Sequence, residues 1–310
     1  MWLAGCAMLL MALLVAPLLP PAQAGTGIFF EMPATLSSMP YASAVVNVAL
    51  IVGIAALMML NNKLFSYLRG YTMIYVSAFF VLQLATPLLV GALNTGTLLC
   101  LMLALGTLAL FASYENRHSQ GRIYLTMTIL ATVSMWQWAA VVLIPAFVLG
   151  FIYMRAFGFK SLIAALLGLI TPFWIVLGLG LVNPVRDFNP LEIHAVWDTL
   201  ELSQVRLLVG WSAVTVVLAI ALTIVNLMTI INYRLQFRVY NAFFIVVTLL
   251  CVVAMCVDYH DLALYLPMLN LCLAIQMGHT MTLSTHPKRY ILSGSILVVA
   301  LMVGVSAFLL

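Results

Sequence analysis

Charge is what this sequence has least of. Asp, Glu, Lys and Arg together make up 6% of 310 residues, while 65% are hydrophobic. Soluble domains carry about 25% charged residues, so there is too little polar surface here to clothe a water-soluble fold. That excludes a soluble globular enzyme, a disordered chain and a nucleic-acid binder. The apolar runs are near-continuous rather than alternating, which excludes a transmembrane β-barrel. Cysteine is scarce too. Cys6, Cys100, Cys251, Cys256 and Cys272 all fall inside apolar runs without CxxC or Cys/His ligand spacing, so neither a zinc site nor a disulfide framework is expected. Cys251 and Cys256 point to different faces of a helix. Walker A, HExxH and GxSxG motifs are missing. No recognised motif specifies a metal or a cofactor, and no polar block is long enough for a separate soluble domain.

What remains is an all-α chain, a polytopic transmembrane helical bundle forming one integral membrane domain over 1–310. A crossing helix needs about 20 apolar residues. Segments are expected near 1–19, 42–60, 71–91, 97–113, 123–134, 138–154, 161–182, 206–230, 242–257, 263–283 and 291–309, about eleven in all. Residues 1–24 are ambiguous. Ala22-Gln23-Ala24 resembles a signal-peptide cleavage site, yet no Lys or Arg precedes Lys63 to form a positive n-region. A retained first helix is the preferred reading, with cleavage after Ala24 as the alternative.

The few charges sort by sign. Lys63 and Arg69, Arg117 and Arg122, Arg155 and Lys160, Arg234 and Arg238, and Lys288 and Arg289 pair up in one set of connections, leaving Arg186 and Arg206 outside it. Glu31, Asp187, Glu192, Asp198, Glu201, Asp258 and Asp261 occupy the other set, and Glu115 alone crosses over. By the positive-inside rule the basic set is cytoplasmic, the N-terminus is inside and the C-terminus outside. The same signs decide one difficult stretch. As a single helix, Arg122 to Met154 would run to about 50 Å at 1.5 Å per residue, against a hydrocarbon core of about 30 Å. It would also place Arg117 and Arg122 opposite Arg155 and Lys160. A short hairpin over 123–154, turning at Ser134-Met135-Trp136-Gln137-Trp138, keeps every sign consistent. Trp136 and Trp138 would sit in the outer aromatic belt or against a lipid headgroup.

The expected helix interiors hold no Asp, Glu, Lys or Arg, which argues against an ion-driven transporter. Their polar set is Asn47, Gln83, Gln137, Asn226, Asn270, Gln276 and His279, best explained by interhelical hydrogen bonds. Gln276 and His279 share a face. The outer connection 183–205 is the richest segment. Asn183-Pro184 and Asn189-Pro190 open it as turns, and Asn189 suits a helix cap with Pro190 at the first position. Ile193, Val196, Trp197 and Leu200 then form one stripe and His194, Asp198 and Glu201 another, as in an interfacial amphipathic helix. His194 with Asp198 and Glu201 could hold a divalent cation or act on a headgroup, as imidazole and carboxylate do, or be a solvated face. Asp258, His260 and Asp261 form a second acidic loop. Glu31, beside Phe29 and Phe30, is the lone acid of the first. The candidate catalytic residues are therefore Glu31, Asp187, His194 and Asp198. Arg234, Arg238, Lys288 and Arg289 are candidate lipid-phosphate contacts, joined by Trp136 and Trp138 at the opposite face.

Asn61-Asn62-Lys63-Leu64, the basic run from Arg117 to Arg122, the aromatic hairpin turn, and Arg155-Ala156-Phe157-Gly158-Phe159-Lys160 leading into Leu167-Gly168-Leu169-Ile170-Thr171-Pro172-Phe173 carry a resemblance. Over roughly 61–180 the chain resembles an uncharacterised family of polytopic membrane proteins of Bacteroidota, which implies a Gram-negative inner membrane and no particular activity. The short hairpin also resembles, in architecture only, GT-C-type glycosyltransferases and polysaccharide polymerases, which handle polyprenyl-linked sugars at an outward-facing site. The chain departs from them in having Glu31 alone in its first outer loop. The expectation is an inner-membrane protein of envelope biogenesis whose partners are the bilayer, a polyprenyl-linked glycan or other envelope proteins. A non-catalytic scaffold and a transporter or flippase are the alternatives.

Overall fold

The fold was examined in a computed structural model, which describes residues 2–18, 27–30, 39–68, 73–116, 118–183, 185–189, 202–230, 234–259 and 261–283. Among these residues every regular element is helical: α1 (Trp2–Val15), α2 (Pro40–Phe65), α3 (Met73–Leu84), α4 (Pro87–Gly91), α5 (Thr95–Phe111), α6 (Gln120–Trp136), α7 (Leu143–Tyr153), α8 (Phe159–Gly178), α9 (Leu202–Ile230), α10 (Leu235–Val257) and α11 (Leu262–Leu283), with 3-10 turns at Ala16–Leu18 and Trp138–Val142. Helix dominates because in an apolar chain it alone satisfies the backbone within each segment.

Five of these helices are long and apolar enough to cross a membrane, over Pro40–Phe65, Phe159–Gly178, Arg206–Met228, Leu235–Val257 and Leu262–Thr280. Among the described residues length and apolarity thus support five crossing helices, and the other segments expected to bring the number to about eleven are shorter or lie outside the described residues. The expected segment 71–91 is not one helix. Pro87 disfavours helical backbone at the residue before it, and Thr86 is extended (φ −120°, ψ 91°), which separates α3 from α4. The expected segment 291–309 lies outside the described residues.

The centre of the bundle is α11, whose apolar window is 94% buried. Helices α3, α5, α9 and α10 pack around it. Pro267 sits inside α11 and leaves the Ala263 carbonyl without its helical N–H donor. Asn94 supplies one: its Nδ2 donates to that carbonyl at 2.8 Å, while its Oδ1 accepts from the Gly96 N–H and caps α5. One face of α2 carries Ser43, Asn47, Ile51, Ile54, Met58 and Asn61, all buried. Asn61 donates to the Ala104 carbonyl and to Thr107 Oγ1 of α5. Asn62 accepts the Leu68 N–H at 2.8 Å as α2 ends with Ser66 in left-handed backbone.

The hairpin is present. Helix α6 rises from Gln120 to Trp136, the backbone breaks at Gln137 (φ −151°, ψ 115°), and α7 returns. At its base the Glu115 N–H donates to the Met154 carbonyl at 2.8 Å, and Arg155 pairs with Glu115 at 3.7 Å. The first arm, 17 residues, reaches about 26 Å at 1.5 Å per residue, longer than the sequence suggested because helix begins at Gln120 and continues to Trp136. This geometry makes a direct prediction. Cysteines at Gly121 and Gly158, both exposed with open space at the Cβ, should label from one side of the membrane. A cysteine at exposed Val185 should label from the other. Membrane-impermeant maleimide on intact and opened cells checks this, in a chain with Cys6 and Cys256 changed to Ser.

Candidate functional site

Two stretches of chain close over the hairpin tip. In the first, the Ile28 N–H donates to the Ser134 carbonyl at 3.2 Å, and the Phe29 and Phe30 N–H groups both reach the Met135 carbonyl, at 3.2 and 3.0 Å. Gly27 is required for this approach: a Cβ there would lie 2.1 Å from the Met135 oxygen. The Phe30 ring stacks on Trp136 with centroids 4.9 Å apart, and Phe29 meets Phe173 of α8 edge-on. In the second stretch, Trp138 Nε1 donates to the Asn189 carbonyl at 3.2 Å, and the Trp138 ring meets Phe188 edge-on. The two stretches also join each other, since the Asn189 N–H donates to the Ile28 carbonyl at 3.0 Å. The tip is thus an aromatic cap of Phe29, Phe30, Trp136, Trp138 and Phe188 laced by backbone hydrogen bonds. Trp136 keeps 41% of its surface exposed.

Of the candidate catalytic residues only Asp187 is described. It is exposed, and its Oδ2 accepts the Asn183 N–H at 2.7 Å, while the Asp187 N–H returns to the Asn183 carbonyl at 2.9 Å. The carboxylate thus ties the Asn-Pro turn that the sequence indicated. Glu31, His194 and Asp198, with Glu201 and the amphipathic stripe, lie outside the described residues, as do His260, Lys288 and Arg289. Asp258 closes α10 and accepts the Tyr265 hydroxyl at 3.2 Å. Asn189 does more than begin a turn: it binds the first outer stretch to the tip.

The opposite end gathers Lys63 at the end of α2, Arg122 at the start of α6, Arg155 and Lys160 around the start of α8, and Arg234 and Arg238 at the start of α10. The ends of α2, α5, α10 and α11 are held together there by buried rings. Phe111 stacks on Tyr240 at 4.3 Å, and Tyr67 meets Phe111, Phe244 and His279. Arg234 and Arg238 are exposed. Arg122 donates to the Ala112 carbonyl.

Between the two ends Asn47, Asn226, Asn270 and Gln276 join helices as expected, whereas the Gln83 side chain makes no hydrogen bond. Gln276 of α11 accepts the Thr223 hydroxyl and donates to Thr248, both at 2.9 Å, linking α9 and α10 through α11. Asn226 donates to the Gln276 carbonyl at 3.1 Å and accepts the Thr280 hydroxyl at 3.0 Å. Cys251 is buried and Cys256 exposed, the two faces their spacing requires, and all five cysteines are free. The sequence reading missed Asn94, Gly27 and Thr248. Only the Gly25-Thr26-Gly27 run offered a signal, since partners distant in the chain define all three. Fold and composition together define a helical protein suited to a membrane. No family model, curated protein or solved structure matches the chain.

Proposed function

We propose that this is a multi-pass inner-membrane protein of the cell envelope, related to the Bacteroidota family that residues 61–180 resemble. Its role is to handle a lipid-linked glycan at the outer face. The observation that carries the reading is the meeting of two stretches on the hairpin tip. Glu31 follows Phe30, which stacks on Trp136. Asn189, bonded to both Ile28 and Trp138, begins the stretch that continues to His194 and Asp198. On this reading Glu31, next in sequence to Phe30, and His194 and Asp198, beyond Asn189, act beside this aromatic cap. Carboxylate and imidazole are the general bases that activate a hydroxyl, and Trp and Phe rings suit the headgroup level. With the basic end cytoplasmic, the tip faces outward, the segments number eleven, and the N-terminus is inside and the C-terminus outside. Arg234, Arg238, Lys288 and Arg289 then meet anionic headgroups on the inner leaflet.

Changing Glu31 to Gln, His194 to Ala and Asp198 to Asn together should reproduce the envelope-glycan defect of the gene deletion at normal protein level. Gel analysis of extracted glycans reads this. Normal glycans in the triple variant, with altered glycans in the deletion, would remove these residues from the role. Normal glycans in the deletion would remove the role itself.

One observation favours a second reading, a non-catalytic assembly partner. Helix α8 packs mainly on α6, and Leu162, Ile163, Leu166, Leu167, Ile170 and Trp174 are exposed along it. On that reading, polar substitution on this stripe disturbs envelope assembly while the triple variant does not.

A further inference from the structure

The break between α3 and α4 lies inside the protein, with Ala85 and Thr86 both buried. Irregular backbone at membrane depth is tolerated where it is buried in protein or lines a cavity, and discontinuous helices coordinate the ions of many transporters. Three buried carboxamides lie in or against the turns that flank this break. On the turn before it, Asn270 of α11 directs Nδ2 at the Leu82 carbonyl, a long contact of 3.5 Å. On the turn after it, Asn47 of α2 donates Nδ2 to the carbonyls of Leu89 and Val90 at 2.7 and 3.2 Å. Gln83 lies in the last turn of α3. All three side chains are at most 1% exposed.

Their other atoms are unsatisfied. Asn47 Oδ1, Gln83 Oε1, Asn270 Oδ1 and Gln83 Nε2 have no hydrogen-bond partner, although an unpaired buried polar group costs about 1–3 kcal/mol. The two asparagines use their nitrogens on backbone and keep their oxygens back. The unused set is therefore dominated by acceptors. It is also neutral, since α2, α3, α4 and α11 contain no Asp or Glu. Divalent cations are held by carboxylates, whereas neutral amide and carbonyl oxygens replace the hydration shell of a monovalent ion. Enclosure this complete suits a ligand of atomic size.

We infer that the α3–α4 break is a binding site for a monovalent cation, Na⁺ or K⁺, held by the side-chain oxygens of Asn47, Gln83 and Asn270. The inference is independent of the glycan reading, because it concerns a different part of the molecule.

The test is thermal unfolding of the purified full-length protein in NaCl, KCl or choline chloride at equal ionic strength. A ligand bound to the folded state alone raises stability with its concentration. Na⁺ or K⁺ should raise the Tm above the choline value in a saturable way. In Gln83→Met the Tm in choline should equal or exceed that of the parent, because the side chain replaced holds no hydrogen bond, and the Na⁺ or K⁺ increment should shrink or vanish. Asn270→Ser should also reduce the increment. Equal Tm in the three salts, as for a site that takes water only, overturns the inference. So does an increment that survives unchanged in Gln83→Met, and that variant decides the matter alone if Asn270→Ser does not fold.

Discussion

Asn94→Ala should lower the stability of the bundle by about 1–3 kcal/mol, the sum of a lost helix cap of about 1 kcal/mol and a part-buried carbonyl left without its donor at up to about 2 kcal/mol. The side chain works on two helices at once. Its oxygen caps α5 through the Gly96 N–H, and its nitrogen serves the Ala263 carbonyl that Pro267 leaves without a donor. The two contributions separate in a double-mutant cycle. Pro267→Ala restores an N–H to α11, so Asn94→Ala in that background should cost little more than the cap. Denaturant titration in detergent of the parent, both single variants and the double variant measures this. An equal cost of Asn94→Ala in both backgrounds would show that the Ala263 carbonyl does not depend on Asn94.

The second large effect is expected at Gly168, where α8 meets α6. A Cβ there would lie 2.5 Å from the Tyr124 carbonyl oxygen and 3.0 Å from the Met127 Cβ. The nearest atom belongs to the backbone, which cannot step aside as a side-chain tip can. Gly168→Ala should therefore destabilise by about 1–3 kcal/mol despite the better helix propensity of alanine. Because α8 packs mainly on α6, the loss should appear as selective release of α8, read by increased protease or maleimide access near Gly158. Gly53→Ala in α2 is the control. A Cβ there meets nothing within 4 Å, and the substitution should stabilise by up to about 1 kcal/mol through propensity alone. If both glycines respond alike, close approach of α8 to α6 is not the cause.

Much of the fold was legible in the residues themselves. The hairpin over 123–154 followed from charge sign and helix length, and the backbone bond between Glu115 and Met154 closes its base where those charges require. The turn at Asn183-Pro184 was legible because its hydrogen bonds are local. Asn226 and Gln276 were recognisable as interhelical glue, since a buried amide in an apolar helix needs a partner. The α3–α4 break was overlooked, because Thr86-Pro87 was absorbed into an apolar run long enough to cross. The site was less legible than the fold. Phe30 and Asn189 reveal their roles only through Met135, Trp136, Trp138 and Ile28, residues remote in the chain.

By itself, then, the sequence determined the helical class, the segregation of basic from acidic connections and a reversal within residues 134–138. Those depend on apolar content, on the sign of a few charges and on helix rise, which are properties of local stretches. Only the tertiary structure decided that α11 is the central helix, that Asn94 completes a proline-broken turn 169 positions away, and that Asn270 and Asn47 bond to the turns before and after one break. These pairings arise from which helix faces pack together, and an apolar helix with little amphipathic contrast does not announce which of its faces will be buried.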